Sequence, residues 1–169
     1  MRSSRPKVLH PVAGKAMLRH VLDAVEQLQP ARCVVVVGPG QTAVAEAAAP
    51  HATAWQTERL GTGHAVQCAQ AALGDLAADP HAELLVTCGD TPLLTAATLA
   101  GLRRTRAEQQ ADMAVLGFQA TDPGAYGRLV LDGDGFLRRI VEAKDASPDE
   151  LAIDRCNAGV LLARADLLF

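Results

Sequence analysis

Residues 32–37 read Arg-Cys-Val-Val-Val-Val and stop at Gly38-Pro39-Gly40. A continuous apolar run closed by turn residues is the pattern of a strand buried on both faces, which needs covering elements on either side. The flanking segments have the right periods. Residues 14–28 set Met17, Val21, Val25 and Leu28 on one face of an amphipathic helix. A helix near 41–48, a short strand near 52–55, a helix from 63 to about 73 and a strand at 83–88 follow. A helix over 95–109 comes after Pro92, with Thr95 as its cap. This alternation predicts an α/β chain with a mostly parallel, doubly wound sheet. From Asp112 the pattern changes to strand-like runs at 112–119, 128–131, 136–141 and 157–163, joined by turns such as Asp132-Gly133-Asp134-Gly135, and antiparallel pairing is expected there. A length of 169 residues allows one domain with a real core, and no repeat or linker divides it. Aromatic residues make up 3% of the chain, so Leu, Val and Ala must fill that core.

Charge and cysteine usage exclude several function classes. A net charge of −3, without a basic stripe interleaved with aromatics, argues against a general nucleic-acid binder. One local exception is residues 1–22, where Arg2, Arg5, Lys7, Lys15 and Arg19 meet no acidic residue; that zone reads equally as a polyphosphate attractor or a solvated end. Cys33, Cys68, Cys88 and Cys156 lack metal-type spacing, and a disulfide framework is not expected. With no signal peptide and no long apolar span, the chain reads as cytoplasmic and without a membrane partner.

Three places carry chemistry on their residues alone. Leu60-Gly61-Thr62-Gly63-His64-Ala65, four residues after Gln56, is a turn opening a helix. Its glycines let backbone N–H groups approach a flat or anionic ligand, and Thr62 can cap the helix or donate its hydroxyl. Gln56 offers a donor and an acceptor on one amide, the complement of a uracil edge, or is an ordinary surface glutamine. Asp90 follows the strand Leu84-Leu85-Val86-Thr87-Cys88-Gly89, at the carboxyl end of the sheet where ligands of open α/β folds gather. Its carboxylate suits Mg²⁺, or simply forms the turn before Thr91-Pro92. Lys7, ahead of the first helix, can meet a phosphate as a point charge or lie free at the surface. His10, His20, His51, His64 and His81 are scattered and read as structural or exposed.

Taken together with Arg5-Pro6-Lys7-Val8-Leu9, Ala125-Tyr126-Gly127-Arg128, Ile140-Val141-Glu142-Ala143-Lys144 and Asn157-Ala158-Gly159-Val160, these motifs run in a telling order. The set resembles the sugar-1-phosphate nucleotidyltransferases. It is most similar to the uridyltransferase domain of the bacterial bifunctional N-acetylglucosamine-1-phosphate uridyltransferase / glucosamine-1-phosphate acetyltransferases. The resemblance spans the chain. It implies a Rossmann-like nucleotide-diphospho-sugar transferase fold and a reaction of UTP with N-acetylglucosamine-1-phosphate. The products are UDP-N-acetylglucosamine and pyrophosphate, in cell-wall precursor synthesis. By resemblance Lys7 contacts the phosphates, and Asp90 holds Mg²⁺. Gln56, Gly61, Thr62, Cys88, Gly89 and Asp90 line the nucleotide and metal, with Cys88 where the family commonly has an aromatic. Gly127, Glu142 and Asn157 bind the amino sugar, while Lys144 and Arg128 read as surface charges.

The resemblance also implies that residues 1–169 are part of a larger domain. In the family a first strand, central in the sheet, and a Gly-rich turn ending in Arg precede the position of Met1. A second metal-ligand Asn and an acetyltransferase domain, through which family members form homo-oligomers, follow that of Phe169. The turnover of this chain on its own is then in question. Two rivals stand beside this reading. One is a nucleotidyltransferase of the same fold acting on other sugar phosphates or on molybdenum cofactor; the other is a nucleotide-sugar-binding module without turnover.

Overall fold

The computed structural model describes residues 5–169. Pro6 leads into a single 3₁₀ turn, Lys7–Leu9. A small antiparallel hairpin follows, β1 (Pro11–Val12) with β2 (Lys15–Ala16). Its two turn residues, Ala13 at φ 49° and Gly14 at φ 81°, supply the paired positive φ that a two-residue hairpin turn requires. The helix expected over 14–28 therefore starts only after the hairpin, as α1 (Met17–Glu26). Its buried stripe is Leu18, Val21, Leu22 and Ala24, so Val21 alone of the expected face is fully covered.

Next come β3 (Val34–Val37), α2 (Thr42–Ala47), β4 (Ala52–Trp55), α3 (Thr62–Leu73) and β5 (Glu83–Val86). α4 (Ala96–Glu108) begins at Thr95, whose hydroxyl accepts from the Thr98 N–H at 3.1 Å, as expected. The remainder is β6 (Met113–Gln119), β7 (Arg128–Leu131), β8 (Leu137–Val141), a short α5 (Pro148–Leu151) and the ten-residue β9 (Arg155–Arg164). In the β7–β8 turn, the Asp132 carboxylate accepts from the Asp134 and Phe136 N–H groups at 3.1 and 2.9 Å, which closes the Asp-Gly-Asp-Gly hairpin read in the sequence.

The α/β class holds, but the share of parallel pairing is smaller than expected. Among the described residues only β3 and β4 pair in parallel. β5 pairs antiparallel with β9 and forms a five-stranded sheet in the order β5-β9-β7-β8, with β6 also on β9. The reason is the length of β9. β6 follows it along both halves, so β5 and β7 share its other edge, β7 against its start and β5 against its end.

Among the described residues no hydrogen bond joins β3 to β5; helices on both faces hold the two sheets together. On one face Leu18 and Leu22 of α1 cluster with Val35 and Val37 of β3, while Ala24 and Val25 of the same helix cluster with Leu85 of β5. On the other face Val34 and Val36 of β3 and Leu84 of β5 pack against Ala54, Ala69, Leu73 and Ala77. The period-two alternation of both strands matches this two-sided cover.

Arg128, expected at the surface, is 3% exposed. It opens β7 opposite Val141 on one side and Cys156 on the other, a position covered from both flanks. Its guanidinium donates to the Tyr126 carbonyl and, at 3.2 Å, to that of Gly124, so it ties down the turn that precedes the strand. Lys144 is exposed, in line with the sequence reading. All four cysteines are free.

Because packing rather than hydrogen bonding joins the two sheets, a cavity under α3 should be costly. Leu73→Ala is expected to destabilise the protein by about 2–5 kcal/mol, as for other buried Leu truncations. A denaturant midpoint series checks this, and a loss under about 1 kcal/mol would mean that the site collapses freely and the clamp is unimportant.

Candidate active site

Two strand ends and one bulge build the first half of the site. The β6–β9 register passes from Leu116 opposite Val160 to Gly117 opposite Asn157, so Ala158 and Gly159 bulge out of β9. Gly159 sits at φ 72°, which a side chain would strain, and a methyl carbon there would lie 3.2 Å from Cys88 Sγ. The Cys88 thiol points at the Gly159 carbonyl from 3.7 Å. Partial burial, and then the nearby Asp90 carboxylate, raise its pKa above the usual thiol value. The bulge is thus where β5 ends and β7 begins, on the same edge of β9.

Around the start of β7 three expected sugar-binding residues meet. The register puts Arg128 opposite both Val141 and Cys156, so Gly127 faces Glu142 on one side and Asn157 on the other. Two measurements agree. The Asn157 N–H donates to the Gly127 carbonyl at 2.8 Å, and a methyl carbon on Gly127 would come within 3.4 Å of Glu142 Oε1. The Asn157 side-chain oxygen accepts from the Gly159 N–H at 2.9 Å, which braces the bulge.

Beyond β5, Asp90 is met by Lys7: Nζ lies 2.6 Å from Oδ2. The hydrogen bond to Asp90, reinforced by its charge, holds the Lys7 ammonium above the usual lysine pKa. Close packing brings the two together. A methyl carbon on Gly89 would lie 3.3 Å from Leu18 and 3.5 Å from Val8, so the bare backbone at 89 lets the residue after Lys7 settle against the turn. The Thr91 hydroxyl donates to the Cys88 carbonyl at 2.9 Å and closes that turn. Tyr126 stands near enough to Lys7 for its phenol to act on the ammonium, and its ring meets Phe118 edge-on at 4.9 Å. The sequence offered no signal for Tyr126 beyond its place in the motif before Gly127.

A second group lies at the carboxyl end of the β3–β4 pair. The Gln56 N–H donates to the Val37 carbonyl at 2.9 Å and extends the parallel ladder by one residue. Its side-chain nitrogen donates to the Gly61 carbonyl at 2.9 Å, a bond that does not use Oε1. Gly61, at φ 96°, is the N-cap residue of α3, and Thr62 is its first residue; no side chain caps this helix, so Thr62 does not serve as the cap. The residues that open it, Gly61 to Gly63, are exposed, and the first N–H groups of a helix have no partner within it. His64 is built into the same loop. Its Nδ1 lies 3.0 Å from the Glu58 carbonyl and 3.3 Å from the Gln56 side-chain nitrogen. Among the described residues, no hydrogen bond or ion pair connects the Gln56 group to the Asp90 group.

The basic zone near the N-terminus is largely neutralised. Lys15 and Arg19 pair with Asp23, Arg19 also with Glu26, and Lys7 with Asp90; Arg2 lies outside the described residues. His20 and His51 are structural, held by the Val12 carbonyl at 2.8 Å and by Glu26 at 2.7 Å. No helix among the described residues is long and apolar enough to cross a membrane.

Comparison with known proteins places this geometry in a family. The bifunctional protein GlmU of Dinoroseobacter shibae is 54% identical over 99% of this chain, and that of Rhodospirillum rubrum 45% identical over all of it. The chain spans 37% of the length of each of these relatives. Among solved structures, HddC from Yersinia pseudotuberculosis in complex with GMP-PN superposes with a TM-score of 0.70 at 19% identity, over 98% of this chain and 70% of that one. A CMP:2-keto-3-deoxy-manno-octonic acid synthetase complexed with CTP gives 0.68, also at 19% identity, over 98% and 71%. These two share the fold. The model of the MobA-like NTP transferase domain matches residues 1–149, and with Asp90, Gln56 and the glycine turn all inside that span, this chain belongs to the family of MobA-like NTP transferase domains.

Proposed function

We propose that this chain is the nucleotidyl-transferring part of a protein that joins UTP to N-acetylglucosamine-1-phosphate, forming UDP-N-acetylglucosamine and pyrophosphate. The observation that carries the proposal is that the β9 bulge joins Gly127, Glu142 and Asn157 to Cys88, two residues before Asp90 and its partner Lys7. A carboxylate and an amide suit a polyhydroxyl ligand, and they stand beside a cation and a hard carboxylate suited to phosphate and metal. The high identity to proteins named GlmU supports the same substrates.

The residues divide the work. Gln56 spends its amide nitrogen on Gly61, so Oε1 is left to accept from a base N–H. Uracil offers such a donor at its ring nitrogen and cytosine an acceptor, and an acceptor facing an acceptor goes unpaired. Gly61 and Thr62 add main-chain and hydroxyl donors at the start of α3, where the helix favours negative charge. Lys7 supplies a positive charge to phosphate oxygens. Glu142 and Asn157 orient the sugar so that its phosphate oxygen lies in line with the α-phosphorus, and positioning is most of what this chemistry asks of a protein. Asp90 fits Mg²⁺: its Oδ2 already holds one cation, Lys7 Nζ, at 2.6 Å. Once bound, Mg²⁺ would neutralise phosphate charge as pyrophosphate leaves.

Pyrophosphate release from a panel of nucleoside triphosphates and sugar-1-phosphates tests the proposal on the full-length protein. Highest kcat/KM is expected for UTP with N-acetylglucosamine-1-phosphate, and a preference for another sugar or for molybdenum cofactor would overturn it. In the same assay Asp90→Ala should lose most of the turnover while the fold survives, since a lost metal ligand removes several kcal/mol of transition-state stabilisation. Near-native turnover at ordinary Mg²⁺ would reject the metal assignment.

The two groups should also separate kinetically. Gln56→Ala is expected to weaken discrimination of UTP from CTP, and Glu142→Ala to raise KM for the sugar phosphate with base preference intact. Each loss is expected to be about 1–3 kcal/mol, the cost of one buried partner left unpaired. Steady-state kinetics decide it, and an equal change of base preference in both variants refutes the division.

A further inference from the structure

We infer that Lys7 and the divalent cation compete for the same oxygen of Asp90, so that metal binding releases Lys7 to the substrate's phosphates. The inference rests on the assignment of Asp90 as the metal ligand. Its basis is geometric. Lys7 Nζ is 2.6 Å from Asp90 Oδ2, so the ammonium covers the carboxylate edge that a hard cation would use. Two cations cannot share that position, and the ion pair must open before a metal seats on Oδ2.

The surroundings favour a short exchange over a rearrangement. Lys7 sits in a single 3₁₀ turn whose neighbour Val8 is packed near Gly89, so the backbone stays in place. The Lys7 side chain is 62% exposed and that of Asp90 31%, so the ammonium can swing off the carboxylate at little desolvation cost. The groups near Lys7 besides Asp90 include Cys88 and Tyr126. Once displaced, Lys7 has no second carboxylate among these neighbours, and a phosphate is the anion that replaces it. Asp90 and Lys7 thus act as a couple. Metal arriving with a phosphate-bearing ligand satisfies both, whereas metal alone leaves the lysine displaced beside a divalent charge.

Mn²⁺ binding to the purified protein without nucleotide, followed by electron paramagnetic resonance, tests this with no turnover involved. Lys7→Met should bind Mn²⁺ about two- to fivefold more tightly than the parent, the range an exposed ion pair is worth. Lys15→Met, which removes a charge paired elsewhere with Asp23, should leave the affinity unchanged. Asp90→Asn should abolish binding in both the parent and the Lys7→Met background. Unchanged or weaker binding in Lys7→Met overturns the competition while leaving Asp90 as the metal ligand. Equal tightening in Lys15→Met also overturns it, because the effect would then be one of net charge. Mn²⁺ binding that survives Asp90→Asn removes the metal assignment itself and the inference with it. Matching thermal melts of all variants exclude misfolding as the cause.

Discussion

The site depends on one irregularity in one strand. β9 is long enough to carry β7 on its first half and β5 on its second, and the two meet where Ala158 and Gly159 leave the ladder. Had β9 run without a bulge, β6 would have paired with it continuously and the backbone at 158–159 would have been taken up in the sheet. Instead the bulge turns the Gly159 carbonyl toward Cys88 and its N–H toward the Asn157 side chain. One stretch of backbone therefore holds Gly127, Glu142 and Asn157 of the antiparallel half against the end of the strand that leads to Asp90. A glycine is needed there twice over, for its φ of 72° and for the nearby sulfur.

The other half of the site is held differently. Gln56 and the Gly61 turn ride on the β3–β4 pair, which shares no hydrogen bond with β5. Their position relative to Asp90 is fixed by side chains of α1 and of the segment from α3 to Ala77, which bridge both sheets with Leu, Val and Ala. Such packing sets a distance without rigid directional bonds. Gly127 and Asn157 are positioned by backbone hydrogen bonds, and Gln56 with the Gly61 turn by a hydrophobic layer. Any change of the gap between the Gln56 group and the Asp90 group must therefore be taken up between β3 and β5.

Much of this was legible in the sequence, and the reasons differ by residue. Val34 to Val37, Thr95 and the Asp132 turn were read correctly because each is a local signal: a β-branched run, a capping hydroxyl, an Asp whose side chain closes its own turn. The ten site residues came from a motif resemblance. Strand register then brings together Gly127, Glu142 and Asn157, which are separated by up to thirty positions in the chain. What the sequence hid was non-local. The pairing of β5 with β9 joins residues about eighty positions apart, and no periodicity encodes it. Arg128 read as a surface charge because its burial comes from being flanked by β8 and β9, which only the assembled sheet reveals. The hairpin before α1 was missed because Ala13, unlike Gly14, is not a residue that announces a positive φ.

Lys7 and Asp90 show how far a motif reaches. By resemblance each has its own anion or cation to bind, and nothing in two motifs 83 residues apart says that they bind one another. Their contact follows from packing: Gly89 has no side chain, Val8 lies near its backbone, and the lysine before Val8 is carried to the carboxylate. A side chain at 89 would press on Leu18, and its first carbon would lie in contact with Val8. The glycine between Cys88 and Asp90 therefore has a use apart from any ligand. It keeps the Lys7 ammonium and the Asp90 carboxylate within one hydrogen bond of each other, so that the two charges of the candidate site are balanced by the protein itself.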